Sequence, residues 1–451
     1  MDIMFYFNTR NNGYIESIGL WGCIPGNDVT KIKQHINNNN VFPTWNYCIN
    51  GSLVIKALQE LSLITLEVTK GCNLKCKYCI HGDLYKCNET FVQKQLSTEH
   101  IISLIDYLVD YWEKQGSTPI KSTNIGFHGG EPLVNFKLIQ DVVEYTKSID
   151  PSVRKFTFSI FTNGVLLDKY IDYLVDNNIH LSVSLDGNKY NNSYRVYPNG
   201  IASFDRVTQN LDMIKEKYPV YFNSMVKFTS VLHDRNNPEE IRIFFQNRYG
   251  KLPSVNELES FDLNEDKLEE FKKMFSANKK ENFLLMGEAD DKAVIRHIIN
   301  RSNNVFDNYN DLLHKSKKPV YLTQTCQPFG KKLFLSANSE IAFCQTIYKK
   351  HTVGYVSDTG VHLDPKKIAD DYNNLVKKML AECQECYMPE ECSQCMLKLV
   401  EEGSDRPVCP KRVTKEMYTE YVSKIWNYLE AHPETYTHFI EEHNPKQAVN
   451  G

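Results

Sequence analysis

The sequence predicts an α/β fold: a partial (β/α)6 barrel of the TIM type, a cysteine-rich C-terminal domain and a small N-terminal α+β segment. Three observations lead there. Strand-like and helix-like runs alternate from Leu61 to about residue 260, the pattern of parallel sheets. Cysteines gather at the start of that region and again well beyond it, with none between 88 and 325. Glycine-rich and polar turns follow the predicted strands, at the carboxyl ends where such sheets collect their chemistry.

Taken in order, residues 1–61 form a separate piece. Ile3–Phe7 and Tyr14–Ile18 read as a hairpin around Asn11-Asn12-Gly13, and Asp28 or Thr30 opens a short helix over Lys31–Ile36. This piece is too small to bury much surface alone, and a role in recognising a peptide through an edge strand stands beside that of a plain extension. Residues 62–260 are the core. Strands are predicted at Leu63–Val68, Asn124–Phe127, Lys155–Phe161, Leu181–Leu185 and Tyr221–Leu232, with a sixth at Val255–Leu258. Helices follow: one opened by Ser97-Thr98-Glu99-His100 and running to Trp112, then Phe136–Lys147, Lys169–Val175, Phe204–Ile214 and one from Pro238. Residues 261–320 read as a helical bridge, 321–415 as the cysteine-rich domain, and 416–451 as a helix and tail, the tail after His443 lacking order.

Composition narrows the function. The 451 residues are 41% hydrophobic and carry a formal charge of −4, which gives no general attraction to nucleic acid or anionic membrane. No apolar run is long enough to span a bilayer, and Met1–Arg10 lacks the features of a signal peptide. The expectation is a cytoplasmic protein. Thirteen cysteines in such a setting argue for metal or redox chemistry, not disulfides. Cys23, Cys48 and Cys87 stand apart and read as free, partly buried thiols.

The remaining cysteines form two groups. Cys72, Cys76 and Cys79 lie on one loop after the first core strand. Three thiolates there can hold three irons of a four-iron cluster and leave the fourth iron open. A closed structural zinc site takes four ligands and suits the loop poorly. Cys326, Cys344, Cys383, Cys386, Cys392, Cys395 and Cys409 make the second group, and seven is an awkward number for closed zinc sites.

Cys72-x3-Cys76-x2-Cys79, followed by Gly129-Gly130-Glu131-Pro132, resembles the radical S-adenosylmethionine (SAM) superfamily. The resemblance implies that SAM chelates the open iron. An electron from the reduced cluster would then release a 5′-deoxyadenosyl radical that takes a hydrogen from substrate. It further implies that Gly129, Gly130 and Glu131 meet the methionine ammonium, that Tyr78 contacts adenine, and that Arg195 pairs with the SAM carboxylate. Asn163 and Ser184 match positions near the ribose or methionine. Each has a bland alternative: Tyr78 as core, Glu131 as a helix-terminus carboxylate, Arg195 as a surface charge.

The second cysteine group is similar to the SPASM extension of these enzymes. The resemblance implies two auxiliary [4Fe-4S] clusters, three in all. Cys383, Cys386, Cys392 and Cys409 would ligate one, and Cys326, Cys344 and Cys395 the other. Two departures stand out: Cys392 and Cys395 are separated by two residues where the family has three, and Ala337-Asn338 replaces a glycine-containing turn. SPASM enzymes oxidise peptide or protein side chains. The segment before the cluster loop and the run Ile80–Tyr85 favour a maturase that crosslinks a ribosomally made precursor peptide, fed by an electron donor such as flavodoxin or ferredoxin. An anaerobic sulfatase maturase is the alternative, which Asn191-Asn192, in place of His-Asp, disfavours. A non-catalytic iron–sulfur carrier is the reading from a different class, and SAM cleavage would separate it from an enzyme.

Overall fold

The computed structural model describes residues 4–8, 13–17, 20–24, 48–86, 94–114, 122–260, 262–275, 294, 325–347, 350–386, 392, 394–399, 409 and 412–435. The predicted helix over 31–36, the turn residues 11 and 12, the Cys23 side chain, Cys87, most of the bridge and the tail after 443 lie outside what is described. The chain divides into two compact units. One comprises Asn50–Lys279 and Cys326–Ala369; the other comprises Met1–Ile49, Lys280–Thr325 and Asp370–Gly451.

Six parallel strands organise the first unit: β4 (Leu63–Thr69), β5 (Ser122–Gly129), β6 (Lys155–Thr162), β7 (His180–Ser184), β8 (Val226–Val231) and β9 (Ser254–Asn256). They neighbour one another in strict chain order. A doubly wound sheet would reverse its order at a switch point, so the sequential order is that of a barrel wall. Beyond β4 the sheet continues through β10 (Leu333–Leu335), parallel to β4. Three antiparallel strands complete it: β11 (Glu340–Ala342), β12 (Thr352–Ser357) and β13 (Gly360–Leu363). Among the described strands β9 and β13 are its two margins.

Period-2 alternation gives the wall two faces. Ile64, Leu66, Val68, Ile125, Phe127, Phe158, Ile160, Leu181, Val183 and Phe228 are buried on one face. Helices cover that face, since the Phe228 ring lies 4.8 Å from Phe245 and 5.0 Å from Tyr249, both on the helix Pro238–Tyr249. Each such side chain removed from water contributes about 1.5–3 kcal/mol. The opposite face is polar. Ser159 donates to Asn124 at 2.6 Å, Asn124 donates to Thr157 at 3.1 Å, and Ser182 pairs with Thr229 at 2.9 Å.

Most predicted helices are present, at Thr98–Lys114, Phe136–Lys147, Leu167–Asp176, Phe204–Lys217 and Pro238–Tyr249. One expectation needs correction. The stretch predicted as a single strand, Tyr221–Leu232, begins as a helix, Pro219–Met225, and only Val226–Val231 is strand. Pro219 sits in the first turn, where its fixed φ favours a helix, and the Tyr221 hydroxyl anchors that helix by donating to the Ile179 carbonyl. The aromatic residues that imitate a strand, Tyr221 and Phe222, are buried, with the Phe222 ring 6.2 Å from Phe228 of the sheet.

In the second unit, β1 (Met4–Asn8), β2 (Gly13–Ser17) and β3 (Leu20–Ile24) form an antiparallel sheet. The predicted hairpin is its first two strands. Helix Lys415–Ala431 is capped by Thr414, which accepts from the Met417 amide at 3.4 Å, and buries Tyr418, Tyr421, Val422, Ile425 and Trp426. Cys48 is free but exposed, not the partly buried thiol expected, because it lies before the first buried turn of the following helix. No described helix is long and apolar enough to cross a membrane.

Candidate active site

The loop Cys72–Cys79 leaves β4 at the carboxyl rim of the sheet. Its base is clamped to the turn after β5. The Gly130 amide donates to the Thr69 carbonyl at 2.8 Å and the Glu131 amide to the Gly71 carbonyl at 2.9 Å. This closeness requires glycine. Gly129 has φ +135°, and a β-carbon at Gly130 would stand 2.2 Å from the Gly71 oxygen. The far side of the loop pairs with residues 194–196: Lys75 N–H donates to Val196 O at 2.7 Å and Lys77 N–H to Tyr194 O at 3.0 Å.

Glu131 is buried, and its carboxylate is fully engaged. Oε1 accepts from Leu133 N–H at 3.1 Å and from the Thr162 hydroxyl at 2.7 Å; Oε2 accepts from Asn163 N–H at 2.7 Å. Burial raises its pKa to about 7, although these donors pull it down. Glu131 therefore caps the short helix Pro132–Asn135 and ties the ends of β5 and β6 together. Asn163 in turn donates to Asn73 Oδ1 at 2.7 Å and lies 3.8 Å from Cys72 Sγ.

Tyr78 and Arg195 converge on Asp186, just past β7. Arg195 donates through Nε and Nη2 to the two carboxylate oxygens, each at 3.0 Å, and the Tyr78 hydroxyl donates to Oδ2. The Tyr78 ring packs with Leu84, Tyr85, Leu258, Phe271 and Met274. Two of the bland readings are thus partly realised: Tyr78 is core as well as rim, and Glu131 caps a helix. Arg195 is no surface charge, being 8% exposed. Ser184 ends β7 opposite Thr229 on the polar face. Five of the seven predicted cofactor residues are linked to one another or to the cysteine loop by the contacts above; Gly129 and Ser184 are placed by strand register.

The residues the sequence reading missed are His233 and Asn192, both wholly buried beside Asp186. His233 follows β8 as the cysteine loop follows β4, so the strand-end rule contained the signal. Asp186 likewise follows β7, but its partners come from residues 78, 195 and 231, which no local pattern connects.

The thiols suit metal ligation. All eleven cysteines whose side chains are described are free. Burial pushes Cys72 and Cys76 up to about 12, with Arg195 pulling Cys76 back in part. Such thiols stay protonated until a metal displaces the proton. The Leu74 amide already lies 3.4 Å from Cys72 Sγ, a donor of the kind that tunes a bound cluster. In the second unit, burial pushes Cys383 up to about 12, and Cys392, Cys409 and Cys386 are its next largest influences, so these four share one locality. The Gln394 amide lies 3.4 Å from Cys392 Sγ. Cys395 is also raised by burial. Cys326 and Cys344 belong to the first unit and Cys395 to the second. Among the described residues no three His, Cys, Asp or Glu side chains converge on a single-ion site.

Residues 66–246, from β4 through most of the helix after β8, match the family model of the radical SAM superfamily. These residues form a radical SAM domain. The domain implies SAM and one [4Fe-4S] cluster, and the three-thiol loop with its amide donor fits that group.

The chain is similar to several curated proteins. It is 31% identical over 182 residues to the radical SAM cyclopropyl synthase TigE of Paramaledivibacter caminithermalis, covering 40% of this chain and 37% of that one. It is 25% identical over 169 residues to the cysteine-type anaerobic sulfatase-maturating enzyme of Clostridium novyi, covering 37% and 43%. An uncharacterized protein of Methanocaldococcus jannaschii, MJ0907, is 28% identical over 299 residues, 65% of this chain and 88% of that one. The matched stretch thus spans well under half of TigE and of the sulfatase-maturating enzyme. Among solved structures, native anSMEcpe with bound AdoMet and a Cp18Cys peptide superposes with a TM-score of 0.51 at 16% identity, covering 84% of this chain and 99% of that one. The same protein with AdoMet alone gives 0.52 at 17% identity, with the same coverage. The fold is shared.

Proposed function

We propose that this chain is a peptide maturase that oxidatively modifies side chains of a ribosomally made precursor peptide, forming an intramolecular crosslink. When bound, the cluster and SAM supply a 5′-deoxyadenosyl radical able to take a hydrogen atom from substrate. The chain's own residues prepare for that. Cys72, Cys76 and Cys79 would hold the irons. Glu131 fixes the glycine turn against the loop base and draws Asn163 toward Cys72. Asp186 holds Tyr78 and Arg195 together at the far side of the loop, and the polar sheet face below offers neutral donors and acceptors.

The observation that carries the peptide reading is the β1–β3 sheet. An antiparallel sheet with an outer strand can add an extended peptide through main-chain hydrogen bonds. Two similarities support it: TigE is named for forming a cyclopropyl group, a bond-forming outcome, and the anSMEcpe fold is recorded with a peptide. Auxiliary clusters on Cys383, Cys386, Cys392 and Cys409, and on Cys326, Cys344 and Cys395, would accept the second electron that crosslinking releases. Sulfatase maturation is the second reading, favoured by the sulfatase-maturating relatives.

The test uses reconstituted enzyme, SAM and a low-potential reductant with each short peptide found encoded within a few reading frames of its gene, and in parallel with a sulfatase peptide. A product lighter by two hydrogens from the first supports the proposal. Formylglycine in the second with no change in the first reverses it. Absence of 5′-deoxyadenosine in both would leave an iron–sulfur carrier.

A further inference from the structure

The carboxylate of Asp186 is wholly buried, and every group around it comes from a different part of the rim. Oδ1 accepts from Arg195 Nη2 and from the Val231 amide at the end of β8, both at 3.0 Å. Oδ2 accepts from Arg195 Nε at 3.0 Å and from the Tyr78 hydroxyl of the cysteine loop. His233 Nε2 lies 3.8 Å from the same oxygen. His233 Nδ1 accepts from the Arg235 amide at 3.1 Å, the role of a neutral ring with its proton on Nε2, and Nε2 also lies 3.2 Å from Asn236 Nδ2. The Asp186 main chain is held too: its N–H donates to Asn192 Oδ1 at 3.1 Å, and its carbonyl lies 3.3 Å from Asn236 Nδ2.

Burial would raise this carboxyl. Arg195, then His233 and Tyr78, outweigh that and hold it at about 2. The group is therefore a fixed anion. Its pairing with Arg195 is bidentate, the arrangement that fixes a guanidinium in plane as well as in place. The Arg195 guanidinium carbon also stands 5.4 Å from the Tyr78 ring centroid, so one anion sets two side chains relative to each other. With Nε and Nη2 committed, Nη1 is the guanidinium nitrogen not spent on Asp186. Asn192, three residues before Arg195 and joined to it by the Arg195 N–H···O bond of 3.0 Å, has a buried Nδ2 with no hydrogen-bond partner among the described residues. Such a donor is costly to leave unmade, and it lies on the segment that carries Arg195.

We infer that Asp186 is a positioning residue for SAM: it locks Arg195 and Tyr78 into one arrangement, which leaves Nη1 of Arg195 to meet the carboxylate of the cofactor. This rests on the radical SAM reading and on Arg195 as the carboxylate partner. Asp186 itself need not touch SAM. Its removal would free both side chains to move, so the loss falls on binding and on the geometry of the bound cofactor, not on cluster assembly.

The test compares reconstituted wild type with Asp186→Asn, Asp186→Glu and Tyr78→Phe under anaerobic conditions. Iron content and the spectrum of the reduced cluster without SAM report assembly. Equilibrium dialysis with radiolabelled SAM, and the change in the electron paramagnetic resonance signal on adding SAM, report binding and its geometry. Expected are full iron in all variants, a Kd for SAM raised about tenfold or more in Asp186→Asn, and partial recovery in Asp186→Glu, which restores the charge. Tyr78→Phe removes one donor and should cost less, about threefold. Combining Tyr78→Phe with Asp186→Asn should cost less than the product of the two separate effects. Asp186→Asn binding SAM within about twofold of wild type, with a wild-type signal change, overturns the inference alone. If Asp186→Asn fails to retain iron, Tyr78→Phe decides: unaltered binding overturns the inference, weakened binding with full iron supports it. A wild-type protein that retains iron and binds no SAM overturns the radical SAM reading, and this inference with it.

Discussion

Gly130 and His128 sit two residues apart at the end of β5 and fail in opposite ways when altered. At Gly130 the constraint is space. Gly130→Ala must push the Gly71 carbonyl away from a contact of 2.2 Å, and that carbonyl is backbone of the cysteine loop. Overpacking of this kind costs about 1–3 kcal/mol, so the variant should melt lower and reconstitute with less iron on the radical SAM loop. Thermal unfolding and iron counting check both. At His128 the constraint is charge. The ring stacks on Phe161 at 3.8 Å, and burial, then the Lys332 charge, lower its pKa from 6.5 to about 3. The unfolded chain takes up this proton near 6.5, whereas the folded chain does so only near 3. Stability from this group is present above pH 6.5 and lost as pH falls toward 3. Unfolding curves at several pH values should show His128→Gln losing less stability than wild type across that window.

Among the elements, the cysteine-rich run carries the next prediction. If Cys383, Cys386, Cys392 and Cys409 hold one auxiliary cluster, replacing Cys383 and Cys386 by serine should lower iron by about four per chain. The SAM-induced spectral change on the other loop should persist. Iron analysis with electron paramagnetic resonance reads both. Much at this scale was legible in the sequence. The helix Phe136–Lys147 has the predicted bounds because its apolar period is clean and the chain turns sharply at both ends. Pro219–Met225 was not legible as a helix, because Val220, Tyr221 and Phe222 have the composition of a strand and only tertiary packing decides. β10 was missed for a different reason. Its three residues, Leu333–Leu335, are too few to show a period, and what identifies them is pairing with Ile64–Leu66, some 270 positions away in register.

For the whole molecule, the rim residues were readable as a set because the chain places one motif after each strand and the sheet brings the strand ends together. What could not be read was which side chain answers which. Arg195 meets a carboxylate of its own chain nine residues back, and Glu131 meets Thr162 and Asn163, a pairing that exists only once β5 and β6 are side by side. The β1–β3 sheet offers a test at this scale. If β3 receives the substrate by strand addition, a proline placed singly along Leu20–Ile24 should weaken capture of the precursor peptide at the positions whose amides point outward. Formation of 5′-deoxyadenosine without substrate should be unaffected. Fluorescence anisotropy of a labelled peptide and chromatography of the nucleoside measure the two separately; unchanged capture at every position would remove β3 from the recognition step.

The two margins of the ten-stranded sheet bear on how a polymer could reach such a rim. A wall closed on itself offers its strand ends only from above, as a ring. A wall with margins, here β9 on one side and β13 on the other among the described strands, offers them from the side as well. An interior residue of a long chain can be laid against it from the side, and the chain can depart on both sides at once. For a reaction that joins two points of the same peptide, this matters after the bond forms as much as before. A newly made ring is bulkier than the chain it came from, and a margin gives it a side by which to leave.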